Sequence, residues 1–175
     1  MSKSSTQQLI KDEQKIMDVL QQNANESIEM IAKKCGFSQQ KVWRIIKKLE
    51  KEKTIWGYTA ICDDEAYHKK HFTMLMKRTT VPLDKKVITE ILTTRLDDLI
   101  PSAMIHMENI EYVHGCFDGI FTFQADDIVT AKKFCERFNA RFSPYIANLE
   151  ILETILTIRK QSLRNPRIKE QINYL

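Results

Sequence analysis

No run of about 20 apolar residues, the length a membrane-spanning helix needs, occurs anywhere in this 175-residue chain. The first residues, Met1 to Gln8, are polar and lack the apolar centre of a secretory signal, so a cytoplasmic location is expected. Paired cysteines are missing too. Cys35, Cys62, Cys116 and Cys135 stand far apart, without the close spacing of a structural zinc site or a redox dithiol. They are expected to be reduced thiols in or near a core, and neither a metal nor a cofactor is expected. Internal repeats and low-complexity runs are absent, which leaves solenoids and disordered tracts without support.

What is present is an ordinary globular composition, 43% hydrophobic and 29% charged, able to bury a core. The formal net charge is only +4, but it is unevenly placed. Between Lys33 and Lys53, eight cations face only Glu50 and Glu52, a local net of +6. The middle of the chain is slightly acidic, with Asp63, Asp64, Glu65, Asp97, Asp98, Asp126 and Asp127. A basic end joined to an acidic middle suggests that one part of the chain faces a polyanion.

The basic part reads as three helices. The first is expected from about Lys11 to Gln22, with Asp12 and Glu13 in its first turn and Ile16, Met17 and Leu20 on one face. Ser27 is a suitable N-cap for the second, whose Ile28, Ile31, Ala32 and Cys35 follow helical spacing, and Gly36 stops it. Ser38 caps a third, running to about Lys51 with Val42, Ile45, Ile46 and Leu49 turned inward. Two helices joined by a short Gly36-Phe37 turn, the second strongly basic, make a helix-turn-helix pattern. Thr54 to Ala60, β-branched and aromatic around Gly57, fits a small wing or strand.

From Tyr67 onward strands alternate with helices. A strand is expected over His71 to Thr79, a helix beginning at Pro82 and carrying Val87, Ile88, Ile91 and Leu92, and an end to that helix or its following turn at Pro101. Ile110 to His114 and Ile120 to Gln124 form a hairpin about a Gly115 to Gly119 turn. Asp126 or Asp127 then caps a helix bearing Ala131, Phe134, Cys135 and Phe138, and Leu149 to Arg159 is a last strand. The order strand, helix, strand, strand, helix, strand is that of a ferredoxin-like sandwich, so the fold class is α+β: a winged helix-turn-helix followed by a ferredoxin-like βαββαβ domain. The expected divisions are residues 1–60 for DNA binding, 61–66 as linker, 67–160 as the sandwich, and 161–175 as a basic tail. The sheet face away from the helices is expected to pack against a second copy of the chain.

Gly36-Phe37-Ser38, Val42, Ile46, Leu49 and Glu50, and Ile55, Gly57, Tyr58, Thr59 and Ala60 together resemble the DNA-binding half of the Lrp/AsnC (feast/famine) regulators. Gly115-Cys116-Phe117-Asp118 stands where that family has a Gly-x-aromatic-Asp turn in its ligand-sensing, RAM-type domain. The resemblance spans about Lys11 to Gln161. It departs at Lys51-Glu52-Lys53-Thr54, where the family usually holds a glycine, and at Asp97 to Glu108, which is longer than usual.

The resemblance implies a sequence-specific transcriptional regulator of double-stranded DNA, a homodimer that assembles further, often to octamers, and an amino-acid effector. Ser38, Gln39, Gln40, Lys41, Trp43, Arg44, Lys47 and Lys48 are the DNA-binding candidates. The glutamines suit adenine and Arg44 guanine, while Lys47, Lys48 and Lys51 suit phosphates. A lysine-rich helix face alone is an ordinary solvated face; the caps, turn and following segment are what point to DNA. Gly115, Phe117 and Asp118 are the effector candidates, with Asp118 suited to an ammonium group, although glycine and aspartate also make plain tight turns. Two other functions share this architecture or charge pattern. One is a siroheme-decarboxylase-like enzyme, for which His68, His71, His106 and His114 are candidates without a common spacing. The other is an architectural DNA-binding protein with little sequence preference.

Overall fold

The computed structural model describes residues 3–100 and 105–174, which form two compact units. One comprises the chain up to Ile61 together with Ile158–Glu170; the other comprises Cys62–Thr157 and the last few residues.

The first unit holds α1 (Lys3–Gln22), α2 (Ile28–Cys35) and α3 (Gln39–Lys51). α1 begins about two turns before the expected start. The other two helices begin where their caps require. Ser27 accepts a hydrogen bond from the Met30 N–H at 3.2 Å and Ser38 one from the Lys41 N–H at 3.3 Å. Each satisfies a donor that the first helical turn leaves open. Between them Gly36 adopts φ 71°, a left-handed conformation that ends α2, and the Phe37 N–H reaches back to the Ala32 carbonyl at 2.9 Å. Ile16, Ile31, Ala32, Cys35, Val42, Ile45, Ile46 and Leu49 form the core, flanked by Met17, Leu20 and Phe37.

After α3 the chain does without the glycine that this turn commonly uses. Lys53 takes the left-handed conformation itself, φ 60°. The Lys53 N–H donates to the Glu50 carbonyl at 3.2 Å and the Thr54 N–H to that of Leu49 at 3.0 Å, the paired bonds of a Schellman stop. Residues 56–63 then have no regular secondary structure, so Thr54 to Ala60 is not a strand within this chain. A lone strand would leave its backbone groups unpaired. Trp56 is 95% exposed there, while the Tyr58 hydroxyl donates to Glu50 at 3.1 Å. Near the other end of the chain, β5 (Arg159–Lys160) and β6 (Leu163–Arg164) make a two-residue-deep hairpin that belongs to this unit.

The second unit opens with a 3-10 turn, Asp64–Tyr67, capped by Asp63, within the stretch read as linker. Its sheet contains β1 (Lys70–Arg78), β2 (His106–Tyr112), β3 (Gly119–Ala125) and β4 (Ile146–Glu153), in the order β2-β3-β1-β4 with all neighbours antiparallel. This is the ferredoxin-like order. Phe72, Met74 and Met76 of β1 alternate inward as expected, joined by Phe121 and Phe123 of β3. Against them lies α5 (Ile128–Phe142), capped by Asp127, with Ala131, Phe134, Phe138 and Phe142 buried. Phe72, Phe123, Phe134, Phe138 and Phe142 form a chain of ring contacts with centroids 4.9 to 6.3 Å apart. Gly119 is required beneath it, because a Cβ there would lie 2.8 Å from the Met76 methyl.

Several boundaries differ from the sequence reading. α4 (Lys85–Thr93) starts after Pro82, since Asp84 accepts from the Val87 N–H at 2.8 Å and so fixes the first turn. No residue of α4 is fully buried. Ile91 reaches the core, but Ile88 and Leu92 are exposed. Pro101 lies outside the described residues. β2 begins at His106 and contains a bulge between Met107 and Asn109; β4 ends at Glu153, six residues short of the expected Arg159. The cysteines divide: Cys35 is buried and Cys135 half-buried, whereas Cys62 and Cys116, in irregular chain, are exposed. Burial raises the Cys135 thiol to about 11.

Lys53→Gly should stabilise the first unit by about 0.5–1 kcal/mol, because glycine takes the left-handed position without side-chain strain while costing some unfolded-state entropy. Urea unfolding followed by far-ultraviolet dichroism checks this, and a loss of stability would show that the turn does not limit it.

Candidate nucleic-acid interface

α3 is divided lengthwise by burial. Val42, Ile45, Ile46 and Leu49 are each at most 7% exposed. Ser38, Gln39, Gln40, Trp43, Arg44, Lys47 and Lys48 are all exposed, on the side left by that stripe. The helix therefore presents its N-terminal half, with two amides, an indole and a guanidinium, as a continuous outward surface.

Lys41 behaves differently from the others. It is half-buried, its Nζ lies 2.6 Å from the Asp12 Oδ2, and it stands 4.0 Å above the Phe37 ring. Asp12 is itself only 4% exposed and also accepts from the Gln8 amide at 2.9 Å. The Lys41 hydrogen bond and then that of Gln8 hold the Asp12 carboxyl below its ordinary value. Lys41 thus ties α3 to α1 through a cation over an aromatic ring and a nearly buried carboxylate. Lys48 is paired with Glu13 at 2.6 Å, which raises its pKa, and Lys47 with Glu50 at 2.8 Å. Both these lysines are about half exposed, 47% and 55%, so their pairs are cheap to exchange for another anion. Among the described residues, Arg44 and Lys51 have no ion-pair partner.

The effector candidates occupy the β2–β3 turn. Gly115 has no positive φ, and a Cβ there would meet nothing within 4 Å, so the chain's own packing does not demand glycine at this point. Phe117 and Asp118 are half-buried. Asp118 is bound into the fold: its Oδ2 accepts from the Arg78 N–H at 2.8 Å, its own N–H donates to the Met76 carbonyl at 2.8 Å, and Lys77 Nζ is 3.9 Å away. Of the four histidines, His68, His106 and His114 are exposed. His71 has both ring nitrogens engaged, with Thr154 at 2.7 Å and Glu108 at 3.1 Å.

Residues 13–55 match the family of winged helix-turn-helix DNA-binding domains, a span that includes α2, α3 and the turn between them. The chain is 42% identical over 55 residues to YugG of Bacillus subtilis (strain 168), an uncharacterised helix-turn-helix-type transcriptional regulator. That alignment covers 31% of this chain and spans about a third, 33%, of YugG. Likeness over the whole length comes from solved structures. An AsnC family transcriptional regulator from Agrobacterium tumefaciens superposes with a TM-score of 0.64 at 21% identity, covering 90% of this chain and 97% of that one. The chain has the AsnC/Lrp fold. The transcriptional regulator NMB0573 of Neisseria meningitidis, solved as a complex with L-Met, is similar to the same extent, with a TM-score of 0.64, 14% identity and 90% and 97% coverage. Both units of the AsnC/Lrp fold are thus accounted for, the matched DNA-binding segment lying wholly in the first.

The Asp12 to Lys41 pair has a pH signature. Because the folded-state pKa of Asp12 is depressed, its contribution is complete well above the ordinary 3.8 and fades as pH falls through that value to the folded one. Asp12→Asn should therefore lower the melting temperature at pH 7 and make little difference near pH 2. Paired thermal melts at the two pH values check it; an equal deficit at both would assign the effect to packing rather than charge.

Proposed function

We propose that the chain is a sequence-specific transcriptional regulator that binds double-stranded DNA as a homodimer or larger assembly and responds to an amino acid or a related small molecule. The observation that carries this reading is the outward surface of α3, cationic and amide-bearing, on a helix whose rotation is fixed by its buried stripe. A helix so capped and so turned enters a major groove with its N-terminal residues against base edges. In this reading Gln39, Gln40 and Arg44 meet bases, with Trp43 beside them. Lys47 and Lys48 exchange Glu50 and Glu13 for phosphates, and Ser38 holds the helix start close to the backbone. Lys41 orients α3 through Asp12 and adds positive potential without leaving the protein.

A single module of this size neutralises few phosphates, and affinity falls steeply as salt competes. Pairing two modules supplies the rest. The irregular, exposed segment from Thr54 to Ala60 and the sheet face bearing Leu75, Ile120 and Leu152 are the surfaces through which two copies would join, the first by pairing strands and the second by packing sheets. The likeness to a regulator solved with L-Met supports an amino-acid effector, and the β2–β3 turn with Gly115, Phe117 and Asp118 is the place assigned to it. Asp118 has one carboxylate oxygen committed to the Arg78 N–H and so keeps the other for an ammonium group. The effector acts by binding one assembly state better than another.

Selection of genomic fragments by the full chain, with a panel of amino acids present or absent, tests the reading. A recurrent sequence motif is expected, and recovery of fragments without one would leave only non-specific binding. On the selected duplex, Arg44→Ala should weaken binding by about 1–3 kcal/mol and relax preference at one base position in a mobility-shift series. Asp118→Asn should retain affinity for DNA while removing the response to the amino acid. Retention of the full response would dismiss the turn as the effector site.

A further inference from the structure

The second unit contains a recess that neither the DNA-binding surface nor the β2–β3 turn uses. It lies between the covered face of the sheet, α4 and the C-terminal end of α5. Its walls are chiefly apolar: Met76, Ile91, Leu96, Phe121 and Phe138 are among them. It encloses about 40 Å³ of room within a wider hollow of about 470 Å³ that opens to solvent. α4, which forms part of its cover, has no fully buried residue, so the cover is held by few contacts.

One wall is charged. Arg78, the last residue of β1, lines the recess with Tyr112 and Tyr145. Its backbone is fixed by Asp118, and its Nη2 donates to the Val81 carbonyl at 3.2 Å. Its Nε–H, however, is buried and has no acceptor. Buried guanidinium N–H groups are ordinarily paired, because their desolvation is costly and charge-assisted bonds are the strong ones. Partial burial holds the Tyr112 phenol above its ordinary pKa, with the Arg78 cation opposing that rise, so at neutral pH it is a protonated donor beside a positive charge. An orphaned cationic N–H, phenolic hydroxyls and apolar walls select one chemistry: a carboxylate on a short aliphatic tail.

We propose that this recess binds a small aliphatic carboxylate, its head accepting from Arg78 Nε–H and its tail lying against Met76, Ile91 and Phe121. Nucleotides and sugars are excluded by the limited room and the scarcity of polar groups. The head needs only the forked geometry that arginine offers to a planar anion. The inference goes beyond the proposed DNA function and does not depend on it, since every residue named belongs to the second unit. The ligand is either a plain carboxylic acid or an α-amino acid of the same skeleton. Asp118, adjoining Arg78, would favour the second through its free oxygen.

Isothermal titration of the full chain with 4-methylpentanoate and, separately, with leucine distinguishes these sources. Saturable binding of either, weakened about tenfold or more by Arg78→Met and lost in Ile91→Trp, which fills the recess, is the expected result. Preference for leucine would identify the amino acid as the ligand, and preference for 4-methylpentanoate the plain acid. Dichroism of both variants should match the unsubstituted chain, and if Arg78→Met unfolds, Ile91→Trp alone carries the comparison. The proposal fails if neither compound binds, or if binding is undiminished in Ile91→Trp. It fails equally if a folded Arg78→Met variant binds as tightly as the original chain.

Discussion

Burial of four side chains along one side of α3 sets the orientation on which the DNA-facing surface depends. Val42, Ile45, Ile46 and Leu49 fit against Ile16 of α1 and Ile31 and Ala32 of α2, and each is worth roughly 1.5–3 kcal/mol when taken from water. A helix held by such a stripe cannot rotate about its axis without exposing it. The positions of Gln39, Gln40, Trp43 and Arg44 are consequently fixed by residues that never touch a partner. The Asp12 to Lys41 pair adds a directional restraint to a contact that is otherwise non-directional, because only one rotation brings the ammonium within 2.6 Å of the carboxylate.

The second unit is built by a different balance. Its aromatic core between β1, β3 and α5 is close-packed, and the ring contacts leave little freedom there. The end of the sheet under α4 is less complete, and it is at this end that Arg78, Asp118 and the recess meet. The opposite face of the sheet is neither fully apolar nor fully polar. His71, Glu108, Gln124 and Asp64 form a hydrogen-bonded group, while Leu75, Ile120 and Leu152 supply apolar area. A mixed surface of this kind suits an interface whose register matters, since polar groups left unpaired penalise the wrong alignment.

Much of this was legible in the residues, and for identifiable reasons. Ser27, Gly36 and Ser38 act within three or four positions of themselves, so α2 and α3 begin and end where their caps indicate. Alternation of Phe72, Met74 and Met76 likewise reports a local pleat. What escaped the reading depends on distant partners. Lys41 looks like one more surface cation until Asp12, 29 positions earlier, is brought beside it. β4 stops at Glu153 because its pairing with β1 stops there, although the β-branched pattern continues. The β5–β6 hairpin is too short to show periodicity, and Lys53 replaces a glycine by accepting a strained backbone, which composition cannot reveal. Arg78 drew no notice, since an orphaned N–H is a property of surroundings drawn from five separate segments.

The central claim is that the outward side of α3 grips a polyanion. Measuring the equilibrium constant for a selected duplex over a range of salt concentrations tests it most directly. A logarithmic plot should fall with a slope of several units, about 0.9 per phosphate neutralised. A slope near zero, or no binding to duplex DNA even at low ionic strength, would contradict it.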